Sequence, residues 1–236
     1  METSQLHRTQ LSILHSLRHT QSERFSDLMR PTNHTSDTFK FHLQKLIKLG
    51  YVTKLSDGQY VLTISGKEFA NNLDKTSRTS QKQPKLSVLV VASQIDSHDI
   101  KRYLFQKRLR NPYWGFWGLI SGPIRWGVTP EEAAAHELLK QTGLTATFRV
   151  KCFYRKQDYV VHSDTLLEDK QFIIVEASNI QGEVSNAWYG GHNDWLSISE
   201  LEQHDKFFCD TSSTIRMLDN GETYQLVKAV YDPQHY

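Results

Sequence analysis

Apolar residues recur at helical spacing through the first part of the chain. Leu6, Leu11, Ile13, Leu14 and Leu17 predict a helix over residues 4–18, and Phe25, Leu28 and Met29 predict a second, short one that Pro31 ends. From Ser36, the residues Phe39, Leu43, Leu46 and Ile47 stand at i, i+4, i+7 and i+8, one face of a third helix that Gly50 stops. Residues 51–55 and 59–63 then alternate around Ser56-Asp57-Gly58, a hairpin signal, and a fourth helix is expected from about Ser65 to Leu73. Further on, the pattern changes period. Residues 86–92 read as a buried strand, and residues 102–108 alternate after a turn at Ser97-His98-Asp99, which joins the two as a hairpin. Thr129 as N-cap, Pro130 at the first position, Glu131 and Glu132 in the first turn and Gly143 as the stop predict a helix over residues 130–142. The tail, with Ile215, Met217, Leu218, Leu226, Val227, Val230 and Tyr231 around Asp219-Asn220-Gly221, is expected to form two short helices covering the second unit.

A polar run ending at Pro84 separates the two patterns, which gives units at residues 1–75 and 85–236 with a linker at 76–84. The chain has 236 residues and a formal charge of only +2, an average that argues against a protein coating nucleic acid over its whole surface. The average hides a division. Residues 1–85 carry 13 Lys and Arg against 7 Asp and Glu, a net of +6, and the remainder 15 against 19, a net of −4. Cys152 and Cys209 form no CxxC pair, which excludes a disulfide framework and a thiolate zinc site. Residues 1–5 open without a basic start and apolar run, and no stretch approaches the roughly 18 apolar residues of a spanning helix. A soluble, cytoplasmic protein with no membrane partner is expected.

Three helices followed by a hairpin, with Leu46-Ile47-Lys48-Leu49-Gly50-Tyr51-Val52 at the junction, resemble the winged helix-turn-helix regulators over residues 5–75. The resemblance implies double-stranded DNA as partner, with the third helix in the major groove and the hairpin on the backbone or minor groove. Opposite the apolar stripe, that helix offers Thr35, Ser36, Thr38, Lys40, His42, Gln44, Lys45 and Lys48, with Lys54 on the wing. Cations there suit phosphates, and hydroxyl and amide groups suit base edges, with no cofactor needed. A solvated face or a protein-interaction module would show the same residues. Leu6, Ile13 and Leu17 serve either the core or a homodimer face.

In the second unit Gly122, Glu137, Leu138, Gly143 and Leu144 resemble the signature of the Nudix hydrolases, and the likeness runs over residues 85–205. It implies an α/β/α sandwich around a mixed sheet, so the whole chain is expected to be α+β, a winged helix followed by this sandwich. It also implies hydrolysis of a nucleoside diphosphate linked to another group, with Mg²⁺ or Mn²⁺ activating water. Four positions depart from the signature: Val128 and His136, and Lys140 and Gln141 in place of paired Glu. Residues 137, 140 and 141 stand at i, i+3 and i+4, where carboxylates converge on a metal. Only Glu137 remains, as a residual catalytic carboxylate and a weak metal ligand, so Mg or Mn matters only if hydrolysis survives. Asp158, Asp164, Glu168 and Asp169 are expected in or near a later loop, as candidates for one lent carboxylate. Lys140 either pairs with Glu137 or meets a ligand phosphate directly, in a ligand site with His136, Arg125 and Gly122. The leading reading is a DNA-binding regulator whose second unit binds a nucleotide-type small molecule without cleaving it efficiently. The alternative is a divergent hydrolase whose winged helix localises or dimerises it; a third reading has two inert interaction modules. Tyr113, Trp114, Phe116 and Trp117 are expected in core or lid packing, Trp126 and Trp195 in structural roles, and residues 188–193 in a loop to which no role is given.

Overall fold

The computed structural model describes residues 6–72 and 83–235, and the chain divides into two compact units, Met1–Lys82 and Gln83–Tyr236. Of the linker expected at 76–84, all but Gln83 and Pro84 lies outside the described residues. Among those described, no helix is long and apolar enough to cross a membrane.

Unit 1 runs α1 (Arg8–Arg18), α2 (Phe25–Met29), α3 (Ser36–Lys48), β1 (Val52–Lys54), β2 (Tyr60–Leu62) and α4 (Ile64–Asn71). α1 starts at Arg8 because His7 caps it: the His7 ring accepts from the Thr9 N–H, and the Gln10 side chain accepts from the His7 N–H at 2.8 Å. β1 and β2 pair antiparallel with Thr53 opposite Val61. Ile13, Leu14, Leu17, Leu28, Phe39, Leu43 and Leu46 form the core. Ile13 and Leu17 are therefore spent inside the unit and offer no dimer face. The stripe of α3 also differs from expectation. It runs through Phe39, His42, Leu43 and Leu46, whereas Ile47 is 38% exposed. His42 at i+3 completes the inward face that the apolar residues alone left one position short.

Unit 2 runs β3 (Lys85–Ile95), β4 (Lys101–Arg108), β5 (Trp117–Pro123), α5 (Pro130–Thr142), β6 (Thr145–Val160), β7 (Leu166–Gln181), β8 (Ala187–Trp188), β9 (Gly191–Leu196), α6 (Ile198–Leu201), α7 (Thr211–Asn220) and β10 (Tyr224–Tyr231), ending in a 3₁₀ turn over Pro233–His235. The strands form one mixed sheet in the order β10-β6-β7-β3-β5-β4-β9-β8. β10 with β6 and β3 with β7 are parallel pairs. Alternation along the strands sends Val88, Val90 and Ile120 toward Ala134 and Leu138 of α5, and Val91, Phe105 and Tyr154 toward Leu201, Ile215 and Met217 of α6 and α7. The chain is thus α+β with helices on both faces of a mixed sheet. α5 occupies the predicted residues, with Thr129 and Glu132 in a reciprocal capping box and Gly143 left-handed at φ 78°.

The second tail helix is instead β10. Gln225, Val227, Ala229 and Tyr231 alternate inward, and all eight residues pair with β6. A short apolar run carries little information on period, and the β6 partner is 71 residues away at the Tyr224–Phe153 pair.

Candidate functional site

α5 leaves the end of β5 so that Glu137 points back onto Gly122. A Cβ built at 122 would stand 2.2 Å from Glu137 Cγ and 2.5 Å from Cδ, so glycine is required to seat this carboxylate. Glu137 is 5% exposed. Gln141 Nε2 donates to Glu137 Oε2 at 2.7 Å and to the Ser121 carbonyl at 2.9 Å, tying the helix to β5. His136 Nδ1 lies 3.3 Å from Glu137 Oε1 with its ring largely in solvent. Lys140 does not pair with Glu137. Its ammonium lies 5.8 Å from the Trp188 ring centroid. Arg125 and Val128 are exposed in the loop before α5, and no contact joins Arg125 to His136 or Lys140 among the described residues. Gly122, expected beside a ligand, serves the helix.

No later carboxylate is lent to this site. Asp158 lies within β6 and Glu168 and Asp169 within β7, leaving only Asp164 in the connecting turn. Asp158 accepts from the Tyr113 hydroxyl at 2.7 Å, Glu168 pairs with Lys85 at 2.9 Å, and Asp169 pairs with Arg155 at 2.8 Å. Among the described residues, no group of three or more His, Cys, Asp or Glu side chains is gathered to hold a metal ion. Hard divalent cations need several oxygen ligands. One carboxylate already holding an amide does not fit Mg²⁺ or Mn²⁺.

The opposite face of the sheet holds chemistry that sequence reading missed. A cavity of about 70 Å³ is lined by Arg108, Lys156, Asp158, Lys170, Asp210 and Thr214, among others. Lys156 is 5% exposed. Its ammonium lies 2.9 Å from Asp210, 3.6 Å from Asp158 and 2.9 Å from the Tyr231 hydroxyl, over the Phe208 ring at 4.3 Å. The Tyr154 hydroxyl donates to Asp210. Burial pushes the Asp158 carboxyl up and the Lys170 ammonium down, and burial with Arg110 nearby lowers Arg108 to about 10. Burial also raises the phenols of Tyr113, Tyr154 and Tyr231. The space suits a phosphate or a few waters at roughly 30 Å³ each. Cys152, Tyr154, Lys156 and Asp158 alternate along β6, all buried.

Tyr113, Phe116 and Trp117 are buried as expected, whereas Trp114 is 56% exposed. Trp126, expected in a structural role, is 96% exposed.

In unit 1, Ser36, Lys40, Gln44, Lys45 and Lys48 are exposed on α3. Lys40 and Gln44 share a groove with Lys54, Gly58 and Tyr60 of the hairpin. Thr35 caps α3, accepting from the Thr38 N–H at 3.4 Å, and the two hydroxyls are 3.0 Å apart. His42 is a correction, being 8% exposed and stacked on the His7 ring at 4.4 Å. Burial, then His7, His34 and Lys45, hold its pKa below the ordinary 6.5. The folded unit therefore binds fewer protons than the unfolded one. Stability from neutral His42 is complete above 6.5 and is lost as pH falls through the lower folded value. Opening free energies from amide hydrogen exchange in α1 and α3 are expected to be smaller at pH 5 than at pH 7, and less pH-dependent in His42→Leu. Equal wild-type values at both pH would contradict this.

No protein-family model matches the chain, and no curated protein does. Among solved structures, the Nudix domain of NrtR from Shewanella oneidensis, complexed with ADP ribose, is similar with a TM-score of 0.50 at 16% identity, covering 67% of this chain and 98% of that one. The mutator protein MutT from Bacillus halodurans gives 0.49 at 14% identity over 64% and 93%, and a MutT Nudix hydrolase from Burkholderia pseudomallei 0.45 at 21% over 57% and 98%. The likeness to the NrtR domain shows that the chain contains a Nudix-type fold.

Proposed function

We propose that the chain is a cytoplasmic, DNA-binding transcriptional regulator whose unit 1 is a winged helix and whose unit 2 binds a nucleoside diphosphate-type ligand without efficient hydrolysis. The observation that carries the ligand half is the state of Glu137. The last carboxylate of the signature is buried under Gly122 and bonded to Gln141, where the catalysed reaction needs a metal cradle. The fold is shared with a domain complexed with ADP ribose, which supports a ligand of that class.

The DNA half rests on Lys40, Gln44, Lys45 and Lys48 along exposed α3 with Lys54 on the adjoining hairpin. The helix enters the major groove and the hairpin acts as the wing. A unit making so few phosphate contacts binds weakly alone, which favours a homodimer on paired half-sites. Ligand then acts by its differential affinity for the DNA-competent state.

A gel shift on promoter DNA across a salt series tests this. Lys40→Ala with Lys45→Ala is expected to weaken binding and to lower the log-log salt slope by about two units, with far-ultraviolet circular dichroism unchanged. An unchanged slope removes α3 from the interface.

A further inference from the structure

Three elements of unit 2 bring an aromatic ring and two cations together beside the signature helix. Trp188 ends β8. The Arg110 guanidinium, from the loop after β4, lies 5.3 Å from its ring centroid, and the Lys140 ammonium, from the last turn of α5, lies 5.8 Å from the same centroid. Tyr189 meets the Trp188 ring edge-on at 4.4 Å and is 84% exposed.

The arrangement is built rather than incidental. The Leu109 N–H donates to the Gly190 carbonyl at 3.0 Å, fixing the Arg110 loop against this turn. A Cβ at Gly190 would stand 2.7 Å from the Trp188 ring and 3.2 Å from Arg110 Nη1, so the backbone itself buttresses ring and guanidinium. Among the described residues, neither Arg110 nor Lys140 has a carboxylate partner. Two like charges near one indole repel, and a bound anion that reaches both relieves this. Arg fits a phosphate through two parallel N–H donors and Lys as a point charge.

We propose that Arg110 and Lys140, gathered on Trp188, form a metal-free clamp for the phosphates of a nucleotide ligand. The clamp rests on the proposed nucleotide-binding role of unit 2 and specifies it: two cations of this chain neutralise the diphosphate without a metal. Tyr189, the exposed ring beside them, offers a face for the base.

Titration calorimetry of the 236-residue chain in EDTA, with ADP, ADP-ribose, inorganic pyrophosphate and adenosine as probes, tests this. Arg110→Gln and Lys140→Gln are each expected to weaken ADP about tenfold, and the pair about a hundredfold, with a shallower salt dependence. Adenosine should show no such loss. Gly190→Ala keeps both charges but displaces the ring, and is expected to weaken ADP severalfold. Equal loss of pyrophosphate and ADP would identify free phosphoanion chemistry as sufficient; loss of ADP and ADP-ribose alone would identify the nucleotide. A double variant that binds ADP with wild-type affinity overturns the clamp and leaves nucleotide binding standing. Wild-type protein that binds none of the four overturns the nucleotide reading, and the clamp with it.

Discussion

Lys156→Met is expected to destabilise unit 2 by about 3–5 kcal/mol at neutral pH, the cost of removing one partner from a buried ion pair. The substitution keeps much of the side-chain volume and removes the ammonium that faces Asp210 at 2.9 Å and Asp158 at 3.6 Å. Both carboxylates are nearly inaccessible, at 8% and 1% exposure. Without Lys156 they become like charges in a medium of low dielectric, and the Phe208 ring loses the cation at 4.3 Å. Protonating a carboxylate relieves the repulsion, so the deficit should shrink as pH falls. Asp210→Asn in the same background should recover part of it. All five tryptophans lie in unit 2, so denaturant unfolding followed by tryptophan fluorescence reports on it. A loss below about 1 kcal/mol would mean that the cluster is solvated rather than buried.

Gly122→Ala is expected to cost about 3 kcal/mol, at the upper end for an overpacked core. The new methyl would stand 2.2 Å from Glu137 Cγ, and Glu137 cannot swing aside without breaking its bond to Gln141 at 2.7 Å. For a unit of this size the loss corresponds to a Tm lower by about 6–12 °C. The contact is specific to one side chain, so Glu137→Ala in the Gly122→Ala background should restore much of the stability. Additive losses in that cycle would show that the glycine and the carboxylate do not compete for the same space.

Where signals are local, the chain could be read closely. α5 starts and stops as predicted because Thr129, Pro130, Glu132 and Gly143 act within a turn of the helix ends. The inward stripe of α3 departs from its apolar pattern because a histidine occupies an inward site, stacked on His7 at the start of α1. β10 read as a helix because its partner strand is distant in sequence. The Lys156 cluster is invisible in the sequence for a related reason: β6, the start of α7, β10 and the Tyr113 loop each supply part of it, and a buried lysine looks like a surface one until its partners are known. Lys140 stands out in the sequence as a cation in place of a signature Glu, and its neighbour is Trp188 rather than Glu137, which only the β8–α5 approach reveals.

Unit 2 is expected to hold its ligand intact. The direct measurement incubates the 236-residue chain with ADP-ribose in Mg²⁺ or Mn²⁺, separates protein-bound from free ligand, and identifies both by chromatography. Bound ADP-ribose recovered unchanged is the predicted result. AMP and ribose 5-phosphate released in many-fold excess over protein would contradict it.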